Sequence, residues 1–184
     1  FIDWFSTYNM VSQGLALKMS IGNKDNYTKK IDTSFKKYKK NIKKETKKYN
    51  LNNEQKKALE YLNLVNNKFD VSVLQGTTGS GKTLVYFERI KKIIDRNKQA
   101  LVLLPEIFLT NEFKSRFEFF FGYEPAIWHS KITPKNKRII WKGIIQNKIK
   151  LIVGARSALL LPFKKLGLIV VDEEHDISYK QNEG

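Results

Sequence analysis

Gly76-Thr77-Thr78-Gly79-Ser80-Gly81-Lys82-Thr83 fits G-x-x-x-x-G-K-[ST], the pattern of a loop that cradles phosphates. Val71-Ser72-Val73-Leu74 runs before it, short, β-branched and apolar, and predicts a buried strand. Thr83-Leu84-Val85-Tyr86-Phe87-Glu88-Arg89-Ile90 runs after it and predicts a helix. Strand, glycine loop and helix are the context such a motif needs. The glycines let several backbone N–H groups converge on one phosphate chain, and the helix N-terminus adds partial positive charge there. Lys82 offers a full charge to β- and γ-phosphates, and Thr83 a hydroxyl to Mg²⁺.

The complementary half is Asp172-Glu173-Glu174-His175, 90 residues beyond Lys82 and directly after the apolar run Leu166-Gly167-Leu168-Ile169-Val170-Val171. In parallel α/β sheets ligands gather at the carboxyl ends of strands. The loop after Leu74 and the acids after Val171 are therefore expected on one edge. Asp172 is then a Mg²⁺ partner beside Thr83, and Glu173 the group that orients and deprotonates the attacking water. Lys82, Asp172 and Glu173 are the candidate catalytic set. The chemistry expected is transfer of the γ-phosphoryl of ATP to water, run by positioning and charge neutralisation.

Between these halves strands and helices alternate. Ala100–Leu104, Pro125–Trp128, Leu151–Val153 and Leu166–Val171 read as strands, and Glu106–Phe121 and Pro134–Asn147 as helices, with Phe108, Leu109, Phe113 and Phe117 on one side of the first. Strands this apolar belong to a parallel sheet covered on both faces. Upstream, Asn52 or Asn53 caps a helix that buries Ala58, Leu59, Leu62 and Val65.

The net charge is +16, from 34 basic and 18 acidic residues, which points to a polyanionic partner or to compositional drift toward lysine. Residues 29–48 alone carry a net +8. Phe35, Tyr38, Ile42 and Tyr49 draw one thin apolar stripe along this segment. It reads as a DNA-backbone contact or as a solvated helical linker; a membrane-surface helix needs a wider stripe. In residues 1–22, Phe1, Trp4, Phe5 and Tyr8 fall at helical spacing and suit packing against another domain, with Gly14 and Gly22 as breaks.

With no cysteine there is no disulfide framework or cysteine metal site. No run reaches the ~18 apolar residues of a membrane span, and no signal peptide is visible, so a cytoplasmic protein without membrane association is expected. The only histidines, His129 and His175, lack metal-ligand spacing, and Ser80 and Ser157 lack a recognisable base. Both ends look cut, so the chain reads as a piece of something longer.

The glycine loop with Asp172-Glu173-Glu174-His175 resembles superfamily 2 helicases. Val102-Leu103-Leu104-Pro105-Glu106-Ile107, His129-Ser130, Gly154-Ala155-Arg156-Ser157-Ala158-Leu159 and Ser178-Tyr179-Lys180-Gln181 narrow the resemblance to the bacterial primosomal replication-restart helicases, over about residues 51–184. That resemblance implies an ATP-dependent 3′→5′ DNA helicase, this chain holding its first RecA-like P-loop NTPase lobe after a basic helical linker. The implied organisation is the end of an amino-terminal DNA-binding domain or a linker in residues 1–22, the lysine-rich helical linker in 23–50 and the lobe in 51–184, cut at its carboxyl end.

The resemblance also implies site residues. Gln55 reads adenine, beside the loop residues Gly76, Thr77, Thr78, Gly79, Ser80, Gly81, Lys82 and Thr83. Pro105, Glu106, Thr110, Arg156 and Ser157 touch the tracked DNA strand; for Arg156 a surface ion pair is the alternative. Tyr179 and Lys180 begin an aromatic-rich loop, and His175 couples the nucleotide to the DNA. Single-stranded and forked DNA, primosomal proteins and single-strand-binding proteins are the implied partners. Zinc belongs only to a downstream part. The segment between Gly22 and Leu51 is too short for the family's winged-helix domain. The family's second lobe and arginine finger lie further on, so weak ATP binding and slow hydrolysis are expected of the piece alone. The rival reading is a nucleotide-gated DNA-binding module without strand separation.

Overall fold

The computed structural model describes residues 2–21, 28, 35, 38, 49–64 and 69–179. Its centre is a four-stranded, all-parallel sheet in the order β2-β3-β1-β4, with β1 at Gln99–Leu103, β2 at Ala126–Trp128, β3 at Leu151–Gly154 and β4 at Leu166–Val171. Helices α1 (Ile2–Tyr8) and α2 (Gln13–Ile21) come first, then α3 (Asn53–Leu64), α4 (Lys82–Asp95), α5 (Asn111–Phe121) and α6 (Pro134–Ile145).

Period-two alternation in the central strands builds two cores. Ala100 and Val102 of β1, with Leu151 and Val153 of β3, face Tyr86, Phe87, Ile90 and Ile93 of α4 and Phe117, Phe120 and Phe121 of α5. Leu101, Leu103 and Ile152 face the other way, onto Ile140, Trp141 and Ile144 of α6. The aromatics of α4 and α5 interlock, with Phe87 and Phe117 rings 4.5 Å apart. Three layers result, as apolar runs covered by helices on both sides require.

Gln99 opens β1 and is fully buried, yet all its polar atoms are used. Its amide N–H groups donate to the carbonyls of Ile144 (3.0 Å) and Ile149 (2.9 Å), and its Oε1 accepts from the N–H groups of Lys164 (3.0 Å) and Lys165 (2.9 Å). One side chain thus ties the approaches to β3 and β4 together. A buried amide so satisfied is stable, whereas its loss takes a partner from four backbone groups, of which the Ile144 carbonyl keeps a second donor in the Asn147 N–H.

Several expectations are corrected. Val71–Leu74 is not a strand: it joins no ladder, and Val71 and Val73 are 74% and 89% exposed. Apolar β-branched residues make a segment competent for pairing, but a strand exists only against a partner. Among the described residues β4 pairs on one side alone, which leaves Ile169 and Val171 partly in water, so the expectation of strands uniformly buried fails there. The helix expected from Glu106 starts only at Asn111, where Thr110 caps it by accepting from the Phe113 N–H (3.2 Å); Glu106–Phe108 is a single 3₁₀ turn, with Phe108 exposed. Gly14 lies inside α2 and breaks nothing.

Of the lysine-rich segment only Phe35 and Tyr38 are described, and both are buried in the core beneath α6. Tyr49 stacks on Phe120, ring centres 5.9 Å apart. Of the thin apolar stripe, Phe35 and Tyr38 are therefore part of the core and Tyr49 lies at its margin. Its lysines, Ile42, Gly22 and Val65 lie outside the described residues. Among the described residues no helix is long and apolar enough to cross a membrane.

Candidate active site

Parallel pairing fixes which loops meet. Leu103 is level with Gly154 and Val171, and Trp128 with Gly154. The segments after β1, β2, β3 and β4 therefore leave from one edge, beginning at Leu104, His129, Ala155 and Asp172 in turn. The Asp172 N–H still donates to the Leu103 carbonyl (3.1 Å), which holds the acid turn in line with the sheet.

The glycine loop feeds α4. Gly79 and Gly81 have φ of 81° and 80°, a conformation that favours glycine, and Gly81 is the residue preceding the helix. A Cβ on Gly76 would come within 2.7 Å of Ser80 Oγ, a hydroxyl that would have to turn aside. Lys82 Nζ donates to the carbonyls of Gly76 (2.6 Å) and Thr77 (3.1 Å) and closes the loop around itself. The Ser80 N–H turns back onto the Thr77 carbonyl (3.2 Å).

Gln55 meets this loop from α3. Its Nε2 donates to the Ser80 carbonyl (2.9 Å), and its Oε1 accepts from the Asn52 N–H (3.0 Å). The Asn52 side chain returns the favour to the Gln55 N–H (2.8 Å), a capping box that fixes the glutamine at the mouth of the loop.

The two halves are joined by a residue that the sequence reading used only as helix filler. Tyr86, one turn beyond Thr83 on α4, donates its hydroxyl to Asp172 Oδ2 at 2.8 Å. Burial, and then the Asp172 charge, push this phenol far above the usual tyrosine range, while a bond with the Thr83 side chain works in the opposite direction. Tyr86 therefore stays a neutral donor held between Thr83 and Asp172. Its i+3 spacing from Thr83 was the available signal.

Glu173 follows in a left-handed conformation (φ 53°), an outlier for a residue with a Cβ and the kind of strain that collects at working sites. Its N–H donates to Asp172 Oδ1 (3.1 Å), and its Oε2 lies 3.6 Å from His175 Nε2, both side chains reaching solvent. Tyr179 is half-buried and donates its hydroxyl to the Asp172 carbonyl (3.0 Å). Burial and then the charge of Asp172 raise the Tyr179 phenol to about 12. Arg156 donates to the Tyr179 carbonyl at 3.3 Å. Acid turn, Tyr179 and Arg156 form one connected row. Lys180 lies outside the described residues.

On the same edge Glu106 accepts from both the N–H and the hydroxyl of Ser130 (3.1 Å each). The backbone bond from Ser130 is the main reason its carboxylate sits below the usual range. Ser130 thus links the loops after β1 and β2. Pro105 is buried beneath this edge, Thr110 is spent as the α5 cap, and Arg156 and Ser157 are exposed at the start of a 3₁₀ turn.

The donor set suits a metal that arrives with a nucleotide. Among the described residues no group of three or more His, Cys, Asp or Glu side chains could cage an ion. A hydroxyl at Thr83 and a carboxylate at Asp172 flank the Tyr86 phenol instead. Mg²⁺ is commonly held by one or two protein oxygens plus substrate phosphates.

A family model described as DEAD/DEAH box helicase matches residues 52–184. Among curated proteins the chain is similar to the replication restart protein PriA of several bacteria. It is 43% identical to that of Rickettsia conorii, covering all of this chain and 27% of the relative. The Bacillus subtilis protein is 42% identical over 76% of this chain and 18% of its own length. The Helicobacter pylori (strain 26695) protein is 46% identical over 63% of this chain and 19% of its own length. The chain thus spans about a quarter or less of the curated relatives it matches.

Proposed function

Because this chain belongs to the DEAD/DEAH box helicase family, we propose that it is the nucleotide-binding lobe of an ATP-driven 3′→5′ DNA helicase of replication restart. The observation that carries the proposal is the 2.8 Å bond from Tyr86 to Asp172, which ties the helix beginning at Lys82 to the acid turn. The likeness to proteins named for replication restart supports the biological setting.

In this reading Gly76–Thr83 wraps the phosphates and Gln55 meets the adenine from the loop's mouth. Lys82 exchanges its two carbonyl acceptors for β- and γ-phosphate oxygens. Thr83 and Asp172 would hold Mg²⁺, which supplies neutralisation of charge on those oxygens. Glu173 takes a proton from the attacking water as its oxygen bonds to the γ-phosphorus and the bond to the β-phosphate oxygen breaks. Glu106, Arg156, Ser157 and Tyr179 form the DNA side, shaped by buried Pro105 and the capping Thr110, and Lys180 follows Tyr179 in sequence. Arg156 and backbone groups there hold phosphates, which positions a strand without reading its sequence. His175, beside Glu173, carries the state of the nucleotide to that side.

ATP hydrolysis by a protein of the relatives' full length that carries this lobe is expected to rise when single-stranded or forked DNA is added. A phosphate-release assay with and without DNA checks this. Equal rates in both would sink the motor reading, and DNA affinity that depends on ATP without strand separation would favour a gated binding module.

A further inference from the structure

At the edge of the sheet opposite the nucleotide, positive charge gathers without an acidic partner among the described residues. Lys98 precedes β1, Lys148 and Lys150 precede β3, and Lys164 and Lys165 precede β4, so three adjacent strands each begin at lysines. At ~4.8 Å between strands these approaches sit within about 10 Å of one another. Four of the five side chains are exposed and Lys150 is half-buried. Among the described residues none of the five forms an ion pair with an acid. Among the described residues, acids at this edge include Asp95, at the end of α4, and Glu124, just ahead of β2, the strand beside β3.

The arrangement is built. Gln99, wholly buried, bonds the N–H groups of Lys164 and Lys165 on one side and the carbonyl of Ile149, between Lys148 and Lys150, on the other. Lys150 Nζ reaches Asn97 Oδ1, and the Asn147 side chain donates to the Asn97 carbonyl (3.2 Å). Lys98 lies over Gly167, where a Cβ would come within 2.7 Å of its Cδ. Partial burial, and then the charges of Lys165 and Lys148, hold the Lys150 ammonium below the usual lysine range. Like charges are being held together, which is unfavourable unless something negative covers them.

A second observation points the same way. Phe35, described within the lysine-rich segment, sits against Gly143, where a Cβ would be 3.0 Å from its ring. Ile149 packs on that same glycine, between Lys148 and Lys150. Phe35, a residue of the most basic stretch in the sequence, is therefore held beside the lysine edge.

We propose that the amino edge of the sheet is a second DNA-contacting surface, holding the phosphate backbone of duplex DNA through Lys98, Lys148, Lys150, Lys164 and Lys165. Duplex rather than single-stranded DNA fits because residues 96–98, 147–150 and 164–165 contain no aromatic side chain on which a base could stack. Phosphate neutralisation needs only charge. The surface lies away from the nucleotide, so one lobe would hold the tracked strand at one edge and paired DNA at the other.

The test is fluorescence anisotropy with a labelled 20-base-pair duplex and a labelled single strand, over a salt series and without nucleotide. One variant carries Lys98→Gln, Lys148→Gln, Lys164→Gln and Lys165→Gln, leaving Lys150 and its Asn97 bonds intact. A control carries Lys18→Gln, Lys57→Gln, Lys91→Gln and Lys114→Gln, removing the same charge elsewhere. The edge variant is expected to bind duplex on the order of tenfold or more weakly, with a log–log salt slope shallower by about 3 to 4. The control and single-strand binding change little. Equal losses in both variants, unchanged duplex binding in the edge variant, or equal loss of single-strand binding each overturn the proposal. So does polyglutamate binding that requires these lysines while duplex binding does not. Because no nucleotide is present, failure here leaves the ATP reading standing, and failure of that reading leaves this surface standing.

Discussion

Changing Glu173 to Gln is expected to lower ATP turnover by about 10²–10⁴-fold, the range over which a positioned general base contributes, while ATP still binds. The amide keeps the size of the side chain but cannot take a proton from water. Glu173 is held by its own backbone, with φ 53° and its N–H on Asp172 Oδ1, and both features survive the change. The lysine loop and the Tyr86–Asp172 bond are also untouched. Rapid-quench hydrolysis, beside titration with a fluorescent ATP analogue, separates turnover from binding. Turnover within a few fold of the parent would remove Glu173 as the base. Loss of binding equal to the loss of turnover would make it a structural residue.

Changing Lys82 to Ala is expected to weaken both binding and turnover, the latter by about 10²–10³-fold, as for removal of one preorganised charge at a developing anion. The fold should barely notice. The Lys82 amine bonds the carbonyls of Gly76 and Thr77 at an exposed site, where water replaces it readily. Thermal melting should therefore match the parent while ATP no longer raises the melting temperature. A large drop in melting temperature, or an ATP-induced rise equal to the parent's, would contradict this role.

Much of this site was legible because its signals are local. A glycine loop ahead of a helix, and acids after an apolar run, announce themselves by spacing; parallel pairing carries the acids to the carboxyl edge, and Tyr86 on the helix after the loop meets them there. What was not legible depends on distant partners. Val71–Leu74 has the composition of a strand and no ladder to join. Gln99 looks like the polar flank of an apolar run, and only the folded chain reveals four backbone groups around it. Tyr86 and Phe35 show the same limit. Each is an apolar-looking member of a helical pattern, and each acts through a contact more than 80 residues away in sequence, with Asp172 or with α6. Ser130 could be quoted in a motif, but its two bonds to Glu106 come from the neighbouring of β1 and β2 loops across β3.

The central claim is that one metal–nucleotide is gripped between Thr83 and Asp172. Replacing Mg²⁺ with Fe²⁺ and adding ascorbate and peroxide generates hydroxyl radicals at the metal, and these cut the nearest backbone. With ATP present, mass spectrometry should find two cuts, one beside Thr83 and one beside Asp172, and both should vanish when ATP is omitted. A cut at only one of the two places, or the same pair of cuts without nucleotide, would contradict the account.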